Sequence, residues 1–194
     1  MRVLALDISL MATGWALFAD GDERPTAGVW HLADSMNYRA RGYLRLQQNI
    51  VDLHRLGDID VIAYEQPANM QHFARANDPM VQVTLHGLAE HVESLAEAKG
   101  IRRHAVLMTA WRRHFIGKMP RATKSADLKD MALRRCKELG LPVPRTRSGA
   151  LSLDGAEALG ILDYQLDLER ILPPWRAGNV LFQQLTPEQR RAMR

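Results

Sequence analysis

The chain holds one cysteine, Cys136, so neither a disulfide framework nor a cysteine-based zinc site can be built within it. Long apolar runs are missing too, and no stretch reads as a membrane-spanning helix. The opening residues Met1–Leu10 already carry Arg2 and Asp7 and run straight into a strand-like pattern, which is not how a secretory leader is composed. There is no internal repeat, and the histidines fall into no metal-ligand spacing. A reducing cytoplasm is the expected setting. What remains is ordinary: 194 residues, 46% apolar and 25% charged, suited to a single domain with a real core.

Charge is unevenly spread. Residues 101–150 hold 13 Lys/Arg against 3 Asp/Glu, whereas the rest of the chain is net acidic. Asymmetry of this kind within one domain is the electrostatic footprint of a phosphate-backbone binder, although a solvated basic face gives the same count.

Hydrophobic patterning divides the chain into elements. Arg2–Asp7 is a short apolar run ending on an acid, as in a buried strand; Gly14–Ala19 and Gly28–Leu32 read as two more strands, making an antiparallel meander. Between Tyr38 and Leu56 the period becomes helical, with Tyr43, Leu46, Ile50 and Leu53 on one face and Gly57 as the stop. Asp60–Glu65 is a further apolar strand ending on an acid. Gln66–Asp78 reads as a loop, residues 80–99 as a helix, His104–Thr109 as a fifth strand and Trp111–Thr123 as an irregular basic connection. Lys124–Leu139 and about Leu153–Leu168 read as helices, and Pro173-Pro174 breaks the second. The expected product is an α/β domain over 1–172, a mixed five-stranded sheet flanked by helices, with 173–194 as a tail.

An acid closing an otherwise apolar strand is costly to bury and calls for a reason. It occurs twice, at Asp7 and Glu65, and a third acidic group, Asp154 with Glu157, shares one face of a helix at i, i+3 spacing. Each has a bland explanation alone: Asp154 as a residue complementing the helix dipole, Asp7 as a turn cap through Ser9 or Thr13, Glu65 as a strand terminus. Together, four converging carboxylates would repel one another unless cations intervene, and hard oxygen donors favour Mg²⁺ or Mn²⁺. Two such ions can activate a water and stabilise the leaving oxygen of a phosphodiester.

Three stretches carry a family resemblance. Leu4-Ala-Leu-Asp7-Ile-Ser-Leu-Met-Ala-Thr-Gly14, Val61-Ile-Ala-Tyr-Glu65-Gln-Pro67 and Leu153-Asp154-Gly-Ala-Glu157-Ala-Leu-Gly160 resemble, in order, the acidic motifs of RuvC-like Holliday-junction resolvases. The resemblance implies a ribonuclease-H-like fold and a homodimer formed through residues 80–99. It implies an endodeoxyribonuclease of DNA recombination and repair that makes paired nicks in four-way or branched DNA, using two Mg²⁺ or Mn²⁺ per site. It assigns metal binding to Asp7, Glu65, Asp154 and Glu157, the last departing from the family's usual Asp or His. A catalytic-site lysine is implied in the basic segment; Arg112, Arg113, Lys118, Lys124 and Lys129 are candidates and Lys124 is favoured. Arg112, Arg113, Lys118, Arg121 and Lys129 are expected on DNA, with Met70 and Phe73 in the loop that enters the junction.

Other classes stay open on sequence. A ribonuclease-H-like nuclease acting on RNA–DNA hybrids would need the same acids. Asp7-x-Ser-x-x-x-Thr-Gly14 also resembles the first phosphate loop of actin-like ATPases and sugar kinases, but no second Gly-rich loop follows. A non-catalytic DNA-binding module would have no need of all four acids.

Overall fold

In a computed structural model, which describes residues 1–68, 79–120 and 123–177, the chain forms a five-stranded mixed sheet with helices on both faces. The strands are β1 (Arg2–Asp7), β2 (Thr13–Ala19), β3 (Thr26–Trp30), β4 (Val61–Glu65) and β5 (Arg102–Val106), in the order β3-β2-β1-β4-β5. β1, β2 and β3 are the antiparallel meander, while β4 lies parallel to β1 and β5 parallel to β4.

The helices are α1 (Arg39–Arg55), α2 (Pro79–Lys99), α3 (Met108–Phe115), α4 (Ser125–Glu138), α5 (Leu153–Leu168) and the single turn α6 (Pro174–Ala177). None of the described helices is long and apolar enough to cross a membrane.

Side-chain alternation along the strands sorts the core into two layers. Leu4, Leu6, Ile62 and Tyr64 point to one face and meet Leu46 and Ile50 of α1 and Leu88 and Val92 of α2. Val3, Ala5, Ala16 and Ala63 point to the other, where Leu159, Ile161 and Leu166 of α5 and Trp111 and Phe115 of α3 complete the packing. Fully burying each of those leucines and isoleucines stabilises the fold by roughly 1.5–3 kcal/mol. The alanines on this face are small, and α5 is buried around most of its circumference, with Glu157, Asp163 and Gln165 among its buried residues.

Several expectations shift. The fifth strand starts at Arg102, two residues earlier than expected, and stops at Val106; it is an edge strand, and its exposed Arg102 and Arg103 hide it from an apolar pattern. The third strand is Thr26–Trp30 rather than Gly28–Leu32. The supposedly irregular stretch after Trp111 lies partly in α3, whose buried side chains are Trp111, Arg112 and Phe115. A buried arginine broke the apolar stripe that would have revealed a helix. Pro174–Ala177, the described start of the expected tail, packs on the domain: Trp175 meets Phe18 edge to face, and its indole N–H donates to Asp163 at 2.8 Å.

Candidate active site

The parallel pairing of β1 and β4 brings their acidic C-terminal ends side by side, with Leu6 registered against Tyr64 just before Asp7 and Glu65. Asp7 itself is opposite Gly14 of β2. A Cβ at Gly14 would stand 2.1 Å from the carbonyl oxygen of Asp154, so the missing side chain is what lets the first turn of α5 reach the strand. Further along, a Cβ at Gly160 would stand 2.8 Å from the Trp111 ring, which seats α5 against α3.

Ser152 caps α5, its hydroxyl accepting from the Gly155 amide at 3.0 Å. The capping task is therefore filled, and the Asp154 carboxylate accepts instead from Lys129. The loop after β1 is closed by Thr13, whose hydroxyl accepts from the Ser9 amide at 3.1 Å and donates to the Ser9 carbonyl at 2.5 Å. That loop does not use Asp7 as its cap.

Asp7, Asp154 and Glu157 each offer a carboxylate oxygen within 4.8 Å of the others. Glu65 is near enough to act electrostatically on Asp7 but is not one of the three, and its Oε2 accepts from the Trp111 indole N–H at 2.8 Å. Glu157 is 1% exposed, and both its oxygens are taken: Arg112 donates to Oε1, and Lys129 Nζ lies 3.0 Å from Oε2. Lys129 Nζ also donates to Asp154 Oδ1 at 2.6 Å.

Burial, with repulsion from Glu157 next, holds the Asp7 carboxyl well above the ordinary carboxylate range, and Lys129 opposes this. Burial also raises Glu65, against the Trp111 hydrogen bond. For Lys129, burial alone would lower the ammonium's affinity for its proton. Asp7, Glu157 and the Asp154 hydrogen bond outweigh it, and the net shift is upward.

Three clustered hard oxygen donors, with a fourth carboxylate alongside and no sulfur or imidazole among them, fit Mg²⁺ or Mn²⁺. The cations already drawn in fit a site with surplus negative charge.

The basic residues separate into different roles. Lys124, favoured from sequence as the lysine of the site, is exposed at the start of α4, and Lys129 is the lysine among the acids. Arg112, expected on phosphate, is 4% exposed and faces Glu157. The partner role of Trp111 was missed; its only sequence signal is a tryptophan set among the cationic residues of a connection between core elements. Arg113 and Lys118 are exposed and make no ion pair among the described residues. Met70, Phe73 and Arg121 lie outside the described residues.

No protein-family model and no curated protein sequence matches the chain. Solved structures do. Thermus thermophilus RuvC in complex with Holliday junction substrate superposes with a TM-score of 0.62 at 14% identity, over 88% of this chain and 95% of that one. The yeast mitochondrial Holliday junction resolvase Ydc2 gives 0.58 at 13% identity, over 90% and 78%. The fowlpox virus Holliday junction resolvase gives 0.51 at 11%, over 87% and 99%. The chain thus has a ribonuclease-H-like fold. Within that class its fold is the RuvC-like one of Holliday junction resolvases.

Proposed function

We propose that the protein is a metal-dependent endodeoxyribonuclease that resolves four-way or branched DNA, as a homodimer making paired nicks. The observation carrying this reading is the convergence of Asp7, Asp154 and Glu157 within 4.8 Å, with Glu65 beside them, on a fold shared with junction resolvases.

Asp7, Asp154, Glu157 and Glu65 would hold two Mg²⁺ or Mn²⁺, which when bound supply an activated water and charge stabilisation at a phosphodiester. The chain's own part is positioning. β1 and β4 fix Asp7 and Glu65 on rigid strand ends, the capped start of α5 presents Asp154, and Arg112 holds Glu157 in one orientation inside the core. Trp111 does the same for Glu65.

Exposed cations supply phosphate contacts: Arg113 in α3 and Lys118 just beyond its end, Lys124 at the head of α4, and Arg145 and Arg147 in the loop before α5. Among the described residues none of these five makes an ion pair. Phe73 and Met70 are proposed to meet unpaired bases at the junction centre.

The test is a gel comparison of a four-way junction, flap, fork, linear duplex and RNA–DNA hybrid, each with and without Mg²⁺. Mg²⁺-dependent cutting of the four-way junction at paired sites is expected. Cleavage confined to the hybrid would replace the substrate, and no cleavage of any of them would end the nuclease reading.

A further inference from the structure

Two cations enter the acid cluster, and they differ in their freedom to leave. Arg112 is sealed in, its side chain 5% exposed against the 2% exposed side chain of Glu157. Lys129 reaches in from α4 with its side chain 29% exposed, on a flexible stem that ends in a compact point charge. Its Nζ sits 2.6 Å from Asp154 Oδ1 and 3.0 Å from Glu157 Oε2. These residues supply two of the three converging metal-ligand candidates.

An ion bound to the same carboxylates at about 2.1 Å would come close to an ammonium already sharing them. Two cations so placed repel, and they compete for the lone pairs of the same oxygens. Glu157 cannot turn its other oxygen outward to relieve the conflict, because Arg112 holds it.

We propose that Lys129 is a resident counter-cation of the acid cluster that a divalent ion must displace, so that this residue sets how weakly the site takes up metal. The proposal rests on the metal-dependent reading above and assigns Lys129 a role distinct from the phosphate contact expected of it. It also gives the two cations separate duties, Arg112 fixing Glu157 permanently and Lys129 covering the cluster until metal arrives.

The experiment measures Mn²⁺ binding to the free full-length protein from the paramagnetic signal of unbound Mn²⁺, with no DNA and no turnover. Lys129→Met should bind Mn²⁺ on the order of tenfold more tightly than wild type, because the competing charge is gone. Lys129→Arg, which restores a cation, should return toward wild type. A second measurement uses the unmodified protein and decides the matter if Lys129→Met does not fold: acylation of Lys129 by an amine-reactive ester, read by mass spectrometry. Added Mn²⁺ should raise modification at Lys129 several-fold as the side chain is released. Equal or weaker Mn²⁺ binding by Lys129→Met, or acylation unchanged or reduced by Mn²⁺, overturns the proposal and leaves the metal-dependent reading standing. Absence of Mn²⁺ binding in both wild type and Lys129→Met overturns the two together.

Discussion

Asp7 shows how far a single residue is held from its own optimum. Its carboxyl is desolvated and pressed by Glu157, Glu65 and Asp154, with Lys129 the relieving charge. A raised pKa in the folded protein means that the ionised form costs stability at neutral pH, and that this stability returns as pH falls through the folded value. Asp7→Asn removes the charge at almost constant shape. Cleavage should fall by orders of magnitude with junction binding retained, and the melting temperature at pH 7 should rise, by about 2–4 °C per kcal/mol relieved in a chain of this size. Near wild-type cutting in Mg²⁺ would remove Asp7 from the metal site. Trp111 offers a subtler change. Trp111→Phe deletes the donor to Glu65 while keeping an aromatic ring in the core, and should lower the cleavage rate roughly 10–100-fold with binding unaltered. A single-turnover assay beside a gel-shift titration separates the two effects, and a loss confined to binding would show that Glu65 needs no such anchor.

At the scale of elements, α3 is divided between two tasks. Its inner side carries Trp111 and Arg112 to the acids, and its outer side presents Arg113 to solvent. Neutralising Arg113, Lys118 and Lys124 together should therefore weaken junction binding and flatten its salt dependence by roughly one unit of slope per lost phosphate contact. Arg112 does not belong in that set, since removing it would strand the buried Glu157. An unaltered slope would place the binding face elsewhere. α2 needs a similar division. Leu88 is fully buried within the protomer, so a charge there would disrupt the fold itself and cannot report on self-association. The exposed large apolar residues of α2 are Met80 and Val83, at 44% and 47%. If the proposed homodimer forms through α2, Val83→Asp should yield a folded monomer in sedimentation; a wild type that stays monomeric on junction DNA would dispose of the dimer.

Across the whole molecule, a second charge cluster holds the C-terminal turn to the core. Asp163, buried in α5, accepts from Trp175 at 2.8 Å, from the Arg176 guanidinium at 3.0 and 2.5 Å, and pairs with His114 of α3 at 3.0 Å. Burial alone would raise its carboxyl, but the hydrogen bonds from His114 and Arg176 outweigh it and bring the value down to about 2. For an acid depressed in the folded state, the stabilisation is in full force above the unfolded value and is lost as pH falls through the folded one. Asp163→Asn should lower unfolding stability by roughly 3 kcal/mol in urea at neutral pH and flatten the acid limb of the stability profile as pH falls from the ordinary aspartate range to about 2. A variant as stable as wild type would mean that α6 is held by Trp175 against Phe18 and not by charge.

Local pattern alone was enough to expect a mixed five-stranded sheet and to single out Asp7, Glu65, Asp154 and Glu157 as candidates. β1 and β4 are short apolar runs each ending on an acid that is costly to bury, and Asp154 and Glu157 share a helical face whatever that helix packs against. What no local pattern could settle was which cation meets which acid. Arg112 and Glu157 are 45 residues apart, Lys129 and Asp154 25, and both meetings depend on how α3 and α4 dock around α5. The seat of α5 depends in turn on close approaches at Gly14 of β2 and at Gly160 against α3, where a single Cβ would collide with Asp154 or Trp111. Periodicity states which side of an element is buried, but not its neighbour or its depth. Lys124 and Lys129 are therefore equivalent as letters in a basic segment, and only the packed helices leave one in solvent and draw the other in among the carboxylates.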